Sequence, residues 1–209
     1  MNILKLKMSC LKLSALGMAI PFVFTQQVVL AAEDMHAHHH HMAESKTIVR
    51  TVAEYNLPEL KLVNTKGKEQ LLSDIISSKN PVMLNFIFTT CTAICPVMSS
   101  SFAQVSKQLG EEYKDLQLIS VSVDPEQDTP AKLREYATRF DGGAQWQLFT
   151  GSLANSIVLQ KAFDSYRGDK MNHLPLTFMR GANSKKWVRL EGLASATELI
   201  KELHALPAR

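Results

Sequence analysis

The chain has 209 residues, 45% of them hydrophobic, with 23 basic and 20 acidic side chains and a formal charge of +3. That length supports a single substantial core after allowance for a leader. The slight basicity makes no case for a nucleic-acid surface, because it belongs to the first residues alone.

Lys5, Lys7 and Lys12 precede an apolar run over residues 13–24, and the small residues Ala31 and Ala32 follow it. The run is short for a membrane span and contains Gly17 and Pro21, so residues 1–31 read as an export signal cleaved after Ala31. Retention as a membrane anchor is the alternative reading. Cleavage removes Cys10 and three lysines but no acid, since Glu33 is the first, and leaves a formally neutral chain. The expected destination is extracytoplasmic, such as a periplasm. There an unengaged pair of neighbouring thiols oxidises to a disulfide unless a reductant or a metal protects it.

Residues 32–50 form a polar, unperiodic linker rich in His and Met, expected to be disordered, and residues 51–209 one domain. In chain order, residues 60–63 and 69–71 flank Asn64-Thr65-Lys66-Gly67 as a hairpin. Residues 82–88 read as a buried strand. A helix is expected over 96–113, with Met98, Phe102, Val105 and Leu109 on one face and Pro96 as its first residue. A strand over 116–123, a helix over 130–140, a short strand at 148–149 and a helix over 153–163 follow. Residues 176–179 and 187–190 form a second hairpin around Gly181, and a helix over 196–206 closes the chain. This order describes an α/β, thioredoxin-like sandwich with an N-terminal β-hairpin extension.

The chemistry concentrates at Cys91 and Cys95, four residues apart where the apolar strand over 82–88 runs out. A strand, a tight turn and a helix start place both sulfurs on one side, where the unpaired amides and the helix dipole favour thiolate. Parallel-type sheets carry their sites at such strand ends. His173 ends the loop over 167–172 and directly precedes the strand at 176–179, within reach of both sulfurs in such a sheet. Two thiolates and one imidazole suit Cu(I) in a three-coordinate site, or Cu(II) with an added oxygen ligand, whereas structural zinc wants a fourth protein ligand. Spacing alone leaves this open against a redox dithiol in which His173 is an ordinary loop residue. His204, beside the core face of the last helix, reads as a surface residue.

Asp124-Pro125-Glu126-Gln127-Asp128-Thr129-Pro130 follows the strand over 116–123 directly. Asp128 or Thr129 is expected to cap the next helix, with Asp128 preferred. Asp124 emerges at the same sheet end as the cysteines, so both aspartates are candidates for orienting His173 or tuning the thiols.

The ordered set Cys-x-x-x-Cys-Pro, Asp-Pro-x-x-Asp-Thr-Pro and a single histidine before a strand resembles the Sco/SenC family of copper-handling proteins, over roughly residues 55–206. The resemblance implies a thioredoxin-like fold that binds copper through Cys91, Cys95 and His173. It further implies a role in assembling the copper centre of cytochrome oxidase, by delivering copper to an oxidase subunit or by reducing the target's cysteines. A thiol reductant would be a second partner. Pro175, two residues after His173, departs from the family pattern and resembles the cis-proline segment that faces the thiols of thioredoxins, which keeps a thiol–disulfide reductase as the competing class. Thr92 to Pro96 also resembles part of a peroxiredoxin signature, but Phe88 stands where that signature wants proline.

His36, His38, His39, His40 and His41, flanked by Met35 and Met42, combine imidazoles and thioethers. They read either as a solvated linker or as an auxiliary arm that captures copper.

Overall fold

A computed structural model describes residues 47–206. The expected leader and the His/Met-rich stretch lie outside these residues.

One eight-stranded mixed sheet organises the domain. Its strands are β1 Val49–Glu54, β2 Lys61–Asn64, β3 Glu69–Leu71, β4 Val82–Ile87, β5 Gln117–Ser122, β6 Trp146–Thr150, β7 Leu176–Arg180 and β8 Lys186–Glu191. They lie in the order β1-β8-β7-β4-β5-β6-β2-β3. The helices are α1 Leu72–Ile75, α2 Ile94–Gln108, α3 Pro130–Thr138, α4 Leu153–Ala162 and α5 Ala196–His204. Strands β4, β5 and β6 run parallel, as strands joined through helices do. Strand β7 joins β4 antiparallel and pairs in turn with β8. The α/β thioredoxin-like class expected from the element order is the one observed.

Every residue of β4 is buried, which explains its unbroken apolar reading apart from Asn85. Asn85 Oδ1 accepts from Ser120 Oγ at 2.6 Å, and Trp146 Nε1 donates to the same hydroxyl at 2.9 Å, a chain of bonds that links β4, β5 and β6 and leaves Asn85 Nδ2 without a partner. An aromatic cluster of Tyr55, Phe86, Phe163, Phe178 and Trp187 packs in tilted and edge-to-face contacts, as between Phe163 and Phe178 at 4.8 Å.

The expected hairpin is β2 and β3, closed by an Asn64 side chain that accepts from the amides of Lys66 and Lys68, with Gly67 at φ +80°. It extends the sheet beyond β6. Strand β1 was not expected as an element, because its exposed positions show no clean alternation. It pairs with β8 at the opposite edge and begins two residues before the expected domain start at residue 51. Helix α2 begins earlier than expected, with Pro96 as its third residue, and ends at Gln108. Gly110 then separates it from a 3-10 turn over Glu111–Tyr113.

Three chain segments converge at one end of the sheet. Register pairs Ile87 with Ser122, so β4 and β5 end side by side and release the cysteine loop and the Asp124 loop together. Antiparallel β7 pairs Thr177 with Asn85, so its first residues, preceded by His173, start at that same end.

Candidate metal centre

The cysteine loop leaves β4 through Phe88 and Thr89. Cys91 N–H donates to the Phe88 carbonyl at 3.2 Å, closing a tight turn. Both cysteines are thiols here, Cys91 half-buried and Cys95 buried. Cys95 is the second residue of α2, and its backbone N–H points at Cys91 Sγ at 3.5 Å. Cys91 therefore receives the open amides of a helix start, the arrangement expected from the spacing.

The two thiols differ in acidity. Burial opposes ionisation of Cys91, but the backbone amides of Cys95, Ala93 and Ile94, with the Cys95 thiol, outweigh it and hold its pKa below the ordinary thiol value. Burial pushes the Cys95 thiol far up, helped by the nearby Cys91 and Asp128, while the Phe88 backbone acts in the opposite sense. The partly exposed sulfur is thus the more readily ionised of the two and the buried one is kept as a thiol.

Asp128 does not cap α3. Thr129 does, accepting from Lys132 N at 3.3 Å with Pro130 in the first helical position. The fully buried Asp128 carboxylate instead accepts from Thr89 N at 3.1 and 3.2 Å, from Thr89 Oγ1 at 2.5 Å and from Ser122 Oγ at 2.6 Å. It ties the root of the cysteine loop to the end of β5. Sequence reasoning missed Thr89 and Ser122, whose role needs the pairing of β4 with β5.

Asp124 makes no hydrogen bond to His173. Its Oδ2 accepts from Lys170 Nζ at 2.5 Å, a bond that raises the Lys170 pKa. Lys170 also lies 5.8 Å from the centre of the Phe88 ring. His173 follows the 3-10 turn Lys170–Asn172, and its ring meets that of Phe88 edge-on at 6.5 Å. Both ring nitrogens are out of solvent contact and have no protein hydrogen-bond partner. Burial lowers the His173 pKa to about 4, so the ring is neutral at ordinary pH. A cavity of about 260 Å³ opens beside His173, bordered by Asp124, Tyr166, Arg167 and Lys170. Among the described residues, no three His, Cys, Asp or Glu side chains are gathered as a metal-holding group. The structure thus brings the cysteine loop, rooted at Phe88, and His173, whose ring meets Phe88, to the same end of the sheet without assembling them into one cluster. Its donors nevertheless suit a soft metal ion, since neutral imidazole nitrogens without partners and sulfurs that lose their protons on binding are what such an ion takes.

Residues 51–207 match the SCO1/SenC family profile. The chain belongs to the SCO1/SenC family. The SCO1 protein homolog of Bacillus subtilis (strain 168) is 33% identical over 121 residues, 57% of this chain and 61% of that protein. The chain thus spans less than two thirds of that relative's length. BsSco, a member of the Sco family of cytochrome c oxidase assembly proteins in which a disulfide switch was identified, has the same fold with a TM-score of 0.62 and 25% identity, covering 75% of this chain and 96% of that one. Bradyrhizobium japonicum ScoI with copper bound superposes with a TM-score of 0.60 at 21% identity, covering 74% of this chain and all of that one. No cis peptide bond occurs among the described residues, so Pro175 is not a thioredoxin-type cis-proline here.

Proposed function

We propose that this chain is an exported copper metallochaperone that holds copper through the thiolates of Cys91 and Cys95 and the imidazole of His173. The observation that carries the reading is His173, a neutral, shielded imidazole whose two nitrogens lack protein partners and whose ring meets Phe88, the residue at the root of the loop that carries the two thiols. A core histidine with a purely structural role normally has those nitrogens bonded. Family membership and the copper-bound ScoI fold support copper as the cargo. The role of BsSco's family in cytochrome c oxidase assembly supports an oxidase subunit as the recipient. Delivery proceeds by ligand exchange: thiolates of the recipient replace those of Cys91 and Cys95 one at a time, with no change in the oxidation state of the ion. Asp128 fixes the loop that carries the sulfurs.

Export rests on the leader over residues 1–31, with a periplasm or similar compartment as the destination and membrane attachment if the leader is kept. Among the described residues no helix is long and apolar enough to cross a membrane. His36, His38, His39, His40 and His41 form an auxiliary capture arm that raises uptake. Unchanged uptake rate and copper stoichiometry after deletion of residues 35–42 would remove that role.

The unequal thiols favour a second reading, a thiol–disulfide reductase. There Cys91 thiolate attacks a partner disulfide, Cys95 resolves the mixed disulfide, and two electrons pass to the partner as the Cys91–Cys95 disulfide forms. His173→Ala separates the two. Anaerobic Cu(I) titration of the reduced protein is expected to show one copper at the domain site with affinity lost in the variant. Dithiol activity that persists in the variant while copper affinity is indifferent to His173 would select the reductase.

A further inference from the structure

The turn that carries His173 is closed on itself and pinned from outside at one point. Within it, Asp169 Oδ1 accepts from Met171 N at 2.8 Å, and the Lys170 carbonyl accepts from His173 N at 3.1 Å. Asn172 bonds only back to Arg167 and Asp169 in the same loop. Among the described residues, the only side-chain hydrogen bond from residues 169–173 to another part of the fold is that of Lys170 to Asp124. Lys170 is therefore held at both ends, by its ammonium on Asp124 and by its carbonyl on the His173 amide.

The anchor is firm on the far side. Asp124 is 7% exposed, and its own N–H donates to Ser122 Oγ at 3.0 Å. Its carbonyl accepts from Asp128 N at 2.9 Å, so it is continuous with the network that roots the cysteine loop. The ammonium lies over the Phe88 ring, which makes a T-shaped contact with the His173 ring. One residue thus registers the histidine turn against both the aspartate loop and the cysteine loop.

We propose that Asp124 and Lys170 are positioning residues for His173, pinning its turn so that the imidazole is kept dry and unpartnered for metal ligation. The argument is one of preorganisation. A histidine in water must shed its hydrogen-bond partners before it ligates, whereas here the fold has already shed them, and ligation then loses nothing at those nitrogens. Releasing the turn lets water compete for the same lone pair. Metal-ligating histidines are usually oriented by a carboxylate bonded to the second ring nitrogen. In this chain the carboxylate acts through the backbone of the turn instead. The inference rests on the assignment of His173 as a ligand.

The test uses the full chain, metal-free and reduced, labelled with diethylpyrocarbonate and read at His173 by peptide mass mapping. Lys170→Met and Asp124→Asn are expected to raise the His173 labelling rate about tenfold, the mark of a locally opened turn, with the denaturation midpoint little changed. Lys170→Arg, which keeps the ion pair, is expected to stay near wild type. The same Met and Asn variants are expected to lose roughly 10-fold or more in Cu(I) affinity. His173 labelling unchanged in both variants would overturn the proposal. So would faster labelling accompanied by copper affinity that falls in His173→Ala but not in Lys170→Met. Copper affinity indifferent to His173→Ala is the separate failure of the ligand reading, and takes this proposal with it.

Discussion

Asp128 accepts both the backbone amide and the hydroxyl of Thr89, two residues ahead of Cys91, and so fixes the loop on which both thiols depend. The carboxylate is fully buried, and Ser122 supplies its remaining donor. Asp128→Ala leaves two or three donors unpartnered inside the fold. Bonds to a buried charged acceptor contribute about 1.5–3 kcal/mol each, and partial relaxation makes the loss on the order of 3 kcal/mol. Chemical denaturation of the metal-free protein measures it. Thr129→Ala, which removes only the α3 cap, is expected to cost about 1 kcal/mol. If the two variants are equally mild, Asp128 does not root the cysteine loop.

Cys91 is expected to alkylate well before Cys95. Cys91 is partly exposed and ionises more easily than an ordinary thiol, because the start of α2 turns its amides toward the sulfur. Cys95 is buried and kept protonated. Iodoacetamide at neutral pH, followed by peptide mapping, should show Cys91 labelled at least tenfold faster, with a pH midpoint for Cys91 below the usual thiol range. Equal rates would mean that the helix start confers no preference.

Much of this architecture was legible because the signals were local. Pro130 after Thr129 announced α3, and the Asn64 to Gly67 turn announced β2 and β3. The cysteine spacing placed both thiols at a helix start, where they are found. What escaped depends on pairing between distant segments. Strand β1 exists because β8 offers it an edge, and its own pattern of exposed valines says little. Asp128 was expected as a cap because capping is the commonest use of an aspartate before a helix. Its true partners, Thr89 and Ser122, come from strands that only the sheet brings together. Asp124 was rightly placed at the sheet end of the cysteines, yet its partner is Lys170, since a long flexible ammonium reaches it first.

Disulfide and copper should exclude each other at the Cys91–Cys95 pair. Both need the same two sulfurs, one as a covalent S–S bond and the other as separate thiolate donors. Protein oxidised at the pair is expected to bind no Cu(I) at the domain site, and to recover one copper after reduction. Protein loaded first should resist oxidation by diamide. Copper retained at full affinity after oxidation would place the metal elsewhere, and with the tail deleted that result would refute the thiolate site.

The shielding of His173 should appear as acid sensitivity of the metal-free protein. Burial lowers its pKa from 6.5 to about 4, so the unfolded chain takes up the proton first as pH falls. By linkage, the neutral ring contributes its full share of stability above pH 6.5, and that share is lost progressively as the pH drops to about 4. The size is on the order of 2 kcal/mol, after allowing for incomplete burial. Other groups titrate in the same window, so the informative quantity is the difference between wild type and His173→Asn, whose side chain does not ionise. Denaturation midpoints taken at pH 7 and pH 4.5 should converge for the two proteins in acid and favour wild type near neutrality. Parallel pH profiles would show that the imidazole is hydrated in solution, and that the fold does not hold it ready for a metal.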